Sequence, residues 1–263
     1  MNEQATILTN GGQPNNQPKS STPRPTKSVN PVVAILRKIE VKLLQFYYGN
    51  PAKDLKLIIV AGNSGVNTTA HYIHETLKLA DAKTGLVLNT NTPAKFYHRL
   101  AKIWRNGANH AVIAAPIATI RRFTFYNLPV HSVVVTNTKD TSDFRETLLN
   151  LFKAEPNFLI VNHDDIGYSY LSQVHVKKST ISYGKDISSD IRINRIKLYK
   201  QGTEVNLNYN GQFIDFATFV LGEESGYYMA AAATAGFAMS YSSDNIVDGI
   251  ANYEPKNLPS STN

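Results

Sequence analysis

A chain of 263 residues can form one large domain or two small ones, and either would bury a full core. The absence of cysteine excludes disulfides and thiolate metal sites and suits a cytoplasmic protein. The net charge of +7 is spread along the chain, with Arg37–Lys38, Arg121–Arg122 and Lys177–Lys178 the adjacent pairs and no zinc-finger, RNP or KH pattern beside them. It therefore reads as a solvated basic surface, and no nucleic-acid partner is expected.

Residues 1–30 are rich in Asn, Gln, Pro, Ser and Thr and are expected to form a disordered tail. They show no basic stretch followed by an apolar run, so no secretory signal is read, and no apolar stretch reaches the roughly 18–20 residues of a membrane helix. Pro31 suits the first turn of a helix running to Tyr48, VVAILRKIEVKLLQFYY, with Arg37, Lys38, Glu40 and Lys42 set between apolar residues. Its broad apolar face is expected to dock on the domain that follows, in preference to lying on a membrane surface. Gly49-Asn50-Pro51 ends it, and residues 31–54 read as a lead helix and linker.

Apolar runs then alternate with helical stretches through a domain spanning residues 55–253. The expected strands are Leu57–Ala61, Thr84–Leu88, Ala111–Ala115, Ser132–Val135 and Phe158–Val161, and the expected helices Thr68–Leu79, Pro93–Arg105 and Phe144–Lys153. Continuous apolar strands separated by helices predict an α/β fold with a mostly parallel sheet flanked by helices. After Leu171 the segments STISYG, IRINRIKLYK, EVNLNYN and FIDFATFV alternate at period two around Gln201-Gly202 and Asn210-Gly211, predicting a small antiparallel β extension. Two helices follow, the alanine-rich Tyr227–Met239 and Ile246–Tyr253 with Asp244 as its cap; residues 254–263 are expected to be a loose tail.

Leu55–Leu77 carries most of the chemistry, because it reads as strand, glycine loop and helix without a lysine. A loop of the form G-x-x-G-K-T cradles phosphates with backbone N–H groups, neutralises them with the lysine and holds Mg²⁺ with the next hydroxyl. Here Gly62, Asn63, Ser64 and Gly65 keep the loop, but Val66 stands at the lysine position and Asn67 at the hydroxyl position, with Thr68 next. The two glycines also fit a plain strand-to-helix turn, which is the favoured reading. Asn162, His163, Asp164 and Asp165 follow a buried strand at the sheet edge where α/β proteins bind ligands, or else cap a helix over Ile166–Leu171. His71 and His74 lie at i, i+3 on one helix, but no further ligand has suitable spacing, so they are read as solvent-exposed and no metal site is assigned. Phe96, Tyr97, Leu100 and Trp104 read as core; Thr92-Pro93 is also capping chemistry.

The order of these segments resembles the central, ATP-binding domain of the Mur ligases, most closely the UDP-N-acetylmuramyl-tripeptide synthetase group. AGNSGVNTTAHYIHETL resembles the family's TGTNGKTTT loop and helix, and NTNTPAKFYHRLAKIWRNGANHAVI its TTP motif, helix and next strand. VHSVVVTNTKDTSDF is similar to the strand ending in TNLTRDHLDYH, FLIVNHDDIGYSYL to the VLNADD stretch, and FVLGEESGYYMAAAATAGF to GRFNVYNALAA. The resemblance implies a nucleotide site, for ATP and Mg if it survives, at Gly62–Gly65, Asn67, Thr68, Asn162 and Asp164, with Thr92 in a substrate-contacting motif. It also exposes departures. Val66 replaces the phosphate-binding lysine, Ala114 the magnesium glutamate and Thr141 a histidine, although Asp140 and Asp143 stay acidic. Ser225 and Tyr228 replace two asparagines that approach adenine. Lys153, slightly out of register, is the nearest counterpart of a carbamylated lysine, and the family's first and last domains have no counterpart here. The expectation is a Mur-ligase-like protein without catalytic residues, acting as a binding or regulatory module linked to peptidoglycan precursor synthesis. Its partner would be another protein such as an active cell-wall ligase. The alternative is an ATP-dependent ligase subunit completed by a separate chain. A third reading places the basic tail and lead helix on anionic membrane surfaces.

Overall fold

The computed structural model describes residues 31–255 apart from 81, 89, 91, 123, 140 and 154; the expected N-terminal tail, most of the C-terminal tail and Asp140 lie outside the described residues. The helices are α1 (Pro31–Tyr47), α2 (Val66–Leu79), α3 (Pro93–Arg105), α4 (Ile117–Ile120), α5 (Ser142–Phe152), α6 (Tyr168–Leu171), α7 (Glu223–Ala238) and α8 (Ser243–Ala251). The strands are β1 (Lys56–Gly62), β2 (Thr84–Val87), β3 (His110–Pro116), β4 (Ser132–Val135), β5 (Phe158–Asn162), β6 (Ser179–Gly184), β7 (Ile191–Tyr199), β8 (Gly202–Tyr209) and β9 (Gln212–Thr218). They form one nine-stranded sheet in the order β2-β3-β1-β4-β5-β6-β7-β8-β9.

Strand β1 lies between β3 and β4 and pairs in parallel with both. Its side chains alternate between two cores. Leu57, Ile59 and Ala61 join Phe96, Tyr97 and Leu100 of α3 and Phe144 and Leu148 of α5. Ile58 and Val60 join Ile73 and Leu77 of α2, Met229 of α7 and Ile246 and Ile250 of α8. A strand covered on both faces has no polar side, which is why this one reads as an unbroken apolar run.

The parallel sheet extends one strand further than expected. STISYG, read as antiparallel, is β6, which pairs in parallel with β5 and, over two residues, with β7. Period-two alternation reports which face of a strand is buried and carries no information about its direction. The antiparallel part is β7-β8-β9. The β8–β9 turn is Asn210-Gly211, with positive φ at both residues (51° and 82°), the requirement of a two-residue type I′ hairpin.

Two caps also differ. Ser242, rather than Asp244, caps α8 by accepting from the Asn245 N–H at 3.3 Å; Asp244 sits in the first turn, where it favours the helix dipole instead. Helix α6 begins at Tyr168, not Ile166, because the Asp165 carboxylate turns the chain locally by accepting from Gly167 N at 2.8 Å.

Helix α1 is closed by Gly49 N to Phe46 O and Asn50 N to Gln45 O, a paired C-terminal motif that satisfies two end carbonyls. It docks by one edge. Val41 is fully buried, and the Gln45 amide donates to the Tyr97 hydroxyl at 3.0 Å and to the Tyr126 carbonyl at 2.8 Å. The broad apolar face expected to make this contact points away from the domain: Leu36, Ile39 and Leu43 are 60, 50 and 64% exposed. Apolar residues encircle the helix, so periodicity alone did not choose between two apolar sides. No helix among the described residues is long and apolar enough to cross a membrane.

Two measurements test this packing. A Cβ on Gly249 would lie 2.4 Å from the Thr76 backbone, where α8 crosses α2. Gly249→Ala is expected to lower the unfolding free energy by about 1–3 kcal/mol, read by urea denaturation. His110, at the start of β3, has its pKa lowered from 6.5 to about 4 by burial, by Lys56 on the adjacent strand and by His131. The unfolded chain therefore binds this proton more readily, and stability is expected to fall as pH drops from about 6.5 toward 4. His110→Gln should flatten that slope in the same assay.

Candidate functional site

At the carboxyl edge of the sheet β1 ends in Gly62, and α2 begins at Val66 after the turn Asn63-Ser64-Gly65. Gly65 has φ 70°, and a Cβ there would sit 2.1 Å from the Tyr228 ring, so both conformation and contact call for glycine. The end of β4 braces the turn. The Asn137 side-chain oxygen accepts from Asn63 N and Ser64 N, both at 2.9 Å, and its amide nitrogen donates to Ser64 Oγ at 2.6 Å. Thr136 Oγ1 adds a donation to the Ser64 carbonyl at 2.7 Å. From α7, the Tyr228 hydroxyl lies 3.1 Å from Ser64 Oγ and donates to Glu224 at 2.6 Å. Burial and that carboxylate push the Tyr228 pKa up to about 12, so it remains a neutral donor.

The loop and the first turn of α2 border an open cavity of about 360 Å³ lined by Gly62–Thr68 and Pro116. Gly62, Asn63, Ser64, Gly65, Asn67 and Thr68 all line this cavity, whose lining carries no ionisable side chain. Val66 is 8% exposed and packs in the α2–α7 core, so the position matching the lysine faces apolar neighbours. Two loop N–H groups are already bonded to Asn137. The first-turn amides of α2, which have no partner within the helix, are the donors that remain at the cavity.

At the end of β5 the polar residues bind other parts of the protein. Asp164 accepts from Lys185 N at 2.6 Å, Asp186 N at 3.0 Å and the Tyr227 hydroxyl at 3.0 Å. The Tyr227 pKa is raised by burial and by Asp164. Asn162 Oδ1 accepts from Asp164 N at 3.0 Å, and Asp165 accepts from Thr138 N at 2.9 Å. His163 packs on Tyr168, ring centroids 3.9 Å apart, with Nε2 3.2 Å from Ser188 Oγ.

The remaining sequence candidates are dispersed. Thr92 caps α3, accepting from Lys95 N at 3.3 Å, and is not part of the cavity lining. Ala114 is buried in β3, Thr141 caps α5, and Asp143 is paired with Arg121. Ser225 is 1% exposed and donates to the Leu221 carbonyl. Lys153 lines a different cavity with Lys38, Tyr126 and Asn150. The two histidines of α2 are not solvent-exposed as expected. His71 stacks on Tyr253, from the chain just beyond α8, and His74 is 16% exposed beside Glu75, its pKa lowered chiefly by burial. Among the described residues no group of three or more His, Cys, Asp or Glu could hold a metal ion. Sequence reasoning missed the braces Thr136, Asn137 and Tyr227; the TN pair after an apolar strand was the available signal.

A mostly parallel sheet flanked by helices, whose central strand runs through a glycine turn into a helix, defines an α/β domain. Residues 60–236 match the model of the Mur ligase middle domain, and the chain belongs to that family. Over 236 residues it is 26% identical to the UDP-N-acetylmuramoyl-L-alanyl-D-glutamate–2,6-diaminopimelate ligase of Aquifex aeolicus, covering 80% of this chain and 48% of that protein. The ligase of the same name from Clostridium tetani is 29% identical over 188 residues, 63% of this chain and 38% of that one. Among solved structures, a 2,6-diaminopimelate ligase superposes with TM-score 0.73 at 17% identity, covering 88% of this chain and 53% of the other. The folylpolyglutamate synthetase of Lactobacillus casei superposes with TM-score 0.62 at 12% identity, covering 86% and 72%. The chain thus spans about half the length, or less, of these two curated relatives.

Asn137→Ala removes the acceptor for two loop amides and is expected to cost about 1 kcal/mol of stability. Amide hydrogen exchange should report it directly as lost protection at Asn63 and Ser64; unchanged protection would mean the loop is held by something else.

Proposed function

We propose that this protein is a Mur-ligase-like module that does not carry out ATP-dependent ligation and acts as a binding or regulatory partner in cytoplasmic peptidoglycan precursor synthesis. The observation that carries this reading is Val66, which fills the lysine position and is packed in the core beneath α7. Mg-ATP does not fit the donor set. Ala114 supplies no ligand where the family resemblance implies a carboxylate, and the Asp164 carboxylate is held by three internal donors. Phosphoryl transfer depends on positioning and electrostatic stabilisation, and loss of one transition-state contact commonly costs about 2.7–4 kcal/mol. Such losses do not add, but several together leave no useful rate. An active cell-wall ligase is the kind of partner this family membership suggests.

A second reading rests on a different observation, the intact loop and the open cavity at the first turn of α2. On that reading the chain is an ATP-dependent ligase subunit, completed by a separate chain carrying what the relatives hold in their other half. Calorimetry with Mg-ATP separates the two. The natural protein is expected to show no saturable binding up to millimolar nucleotide, whereas micromolar binding would favour the ligase subunit. Val66→Lys, checked for folding by circular dichroism, measures whether the missing charge alone restores affinity.

A further inference from the structure

The solvent side of α1 carries Leu36, Ile39, Leu43 and Phe46, spaced three, four and three residues apart, flanked by Ile35 and Tyr47. All six are between 50 and 80% exposed. This is the a/d spacing of a two-helix seam, and the side chain that docks on the domain, Val41, falls on the opposite side of the helix. Charged residues are absent from the stripe; those nearest it are Lys42 beside Ile35 and Glu40 beside Tyr47. Lys38 and Arg37 lie further round on the same two flanks, and the Lys42 ammonium is 5.9 Å from the centroid of the Tyr126 ring.

We propose that this stripe is the interface between two copies of the chain, which pair through α1 in parallel about a two-fold axis. Three observations select a second copy as the occupant. Residues 1–30 contain Met1, Ile7, Leu8 and Val29 as their large apolar residues, too few to bury six. Burying those six removes an area comparable to the ~800 Å² per partner of a standard interface. The flanks are self-complementary in charge: in a parallel pair the Lys42 flank of one helix faces the Glu40 flank of the other, whereas an antiparallel pair sets like flank against like. Because the docked edge and the stripe are on opposite sides, each domain lies outside the helix pair and does not obstruct it. A membrane-surface helix would carry basic residues next to its apolar stripe on both sides, and here the charged residue next to the stripe on one side is Glu40, with Arg37 set further round.

The test is sedimentation equilibrium of the full chain over a wide concentration range. The expected mass is twice that of the monomer, and the double substitution Leu36→Glu, Leu43→Glu is expected to weaken self-association at least tenfold. Thermal unfolding of that variant should remain cooperative, since both side chains are exposed in the single copy. The natural chain has no cysteine, so Leu43→Cys offers a second readout without background. Oxidation should cross-link copies at this a position, while Lys197→Cys on the antiparallel extension should not cross-link. A monomer at every concentration overturns the proposal, including one that binds anionic vesicles instead. A dimer untouched by the double substitution overturns it as well.

Discussion

Strand β1 has no face left for water. Because helices cover both sides of the sheet at its centre, every residue from Leu57 to Ala61 must be apolar, and the strand's direction fixes where its loop emerges. Neighbouring β4 runs in the same direction, so its end delivers Thr136 and Asn137 beside that loop. The geometry of the candidate site therefore follows from core burial, with polar contacts adjusting the last few residues.

At the carboxyl edge of the sheet the chain's own polar side chains are bonded to one another across distant elements. Asp164 ties the end of β5 to the start of the β6–β7 connection and to α7, and Tyr228 covers Gly65 while bonding Glu224. Each contact replaces hydration of a polar group with a protein partner, which stabilises the fold and raises the cost of rearranging it for a guest. The open portion is the mouth of α2, where backbone donors remain and side-chain charge does not.

The parts of this architecture legible in the sequence were those governed by local patterning. The five apolar runs fall on five parallel strands, the glycine loop sits between strand and helix, and Thr92-Pro93 opens α3, because burial, turn chemistry and capping act over a few residues. What was hidden depends on partners far along the chain. The direction of β6 is set by its crossover, the side of α1 that docks is set by Tyr97 and Tyr126, and the cover over His71 comes from Tyr253. In the site, Tyr227 reaches Asp164 across 63 residues, and no motif announces such a pairing.

Helix α7 is buried along most of its length, and its interior run is Met229 followed by Ala230–Ala233. Its small side chains bring its axis close to the sheet, where it packs against β5, β6, β7 and β8 as well as α2 and α8. The opposite face is filled by Phe96, Tyr97 and Phe125, which can trade volume among themselves. The two contacts therefore differ in tolerance: the aromatic side can exchange volume among its neighbours, whereas a larger side chain at Ala230–Ala233 would have to push α7 off the sheet.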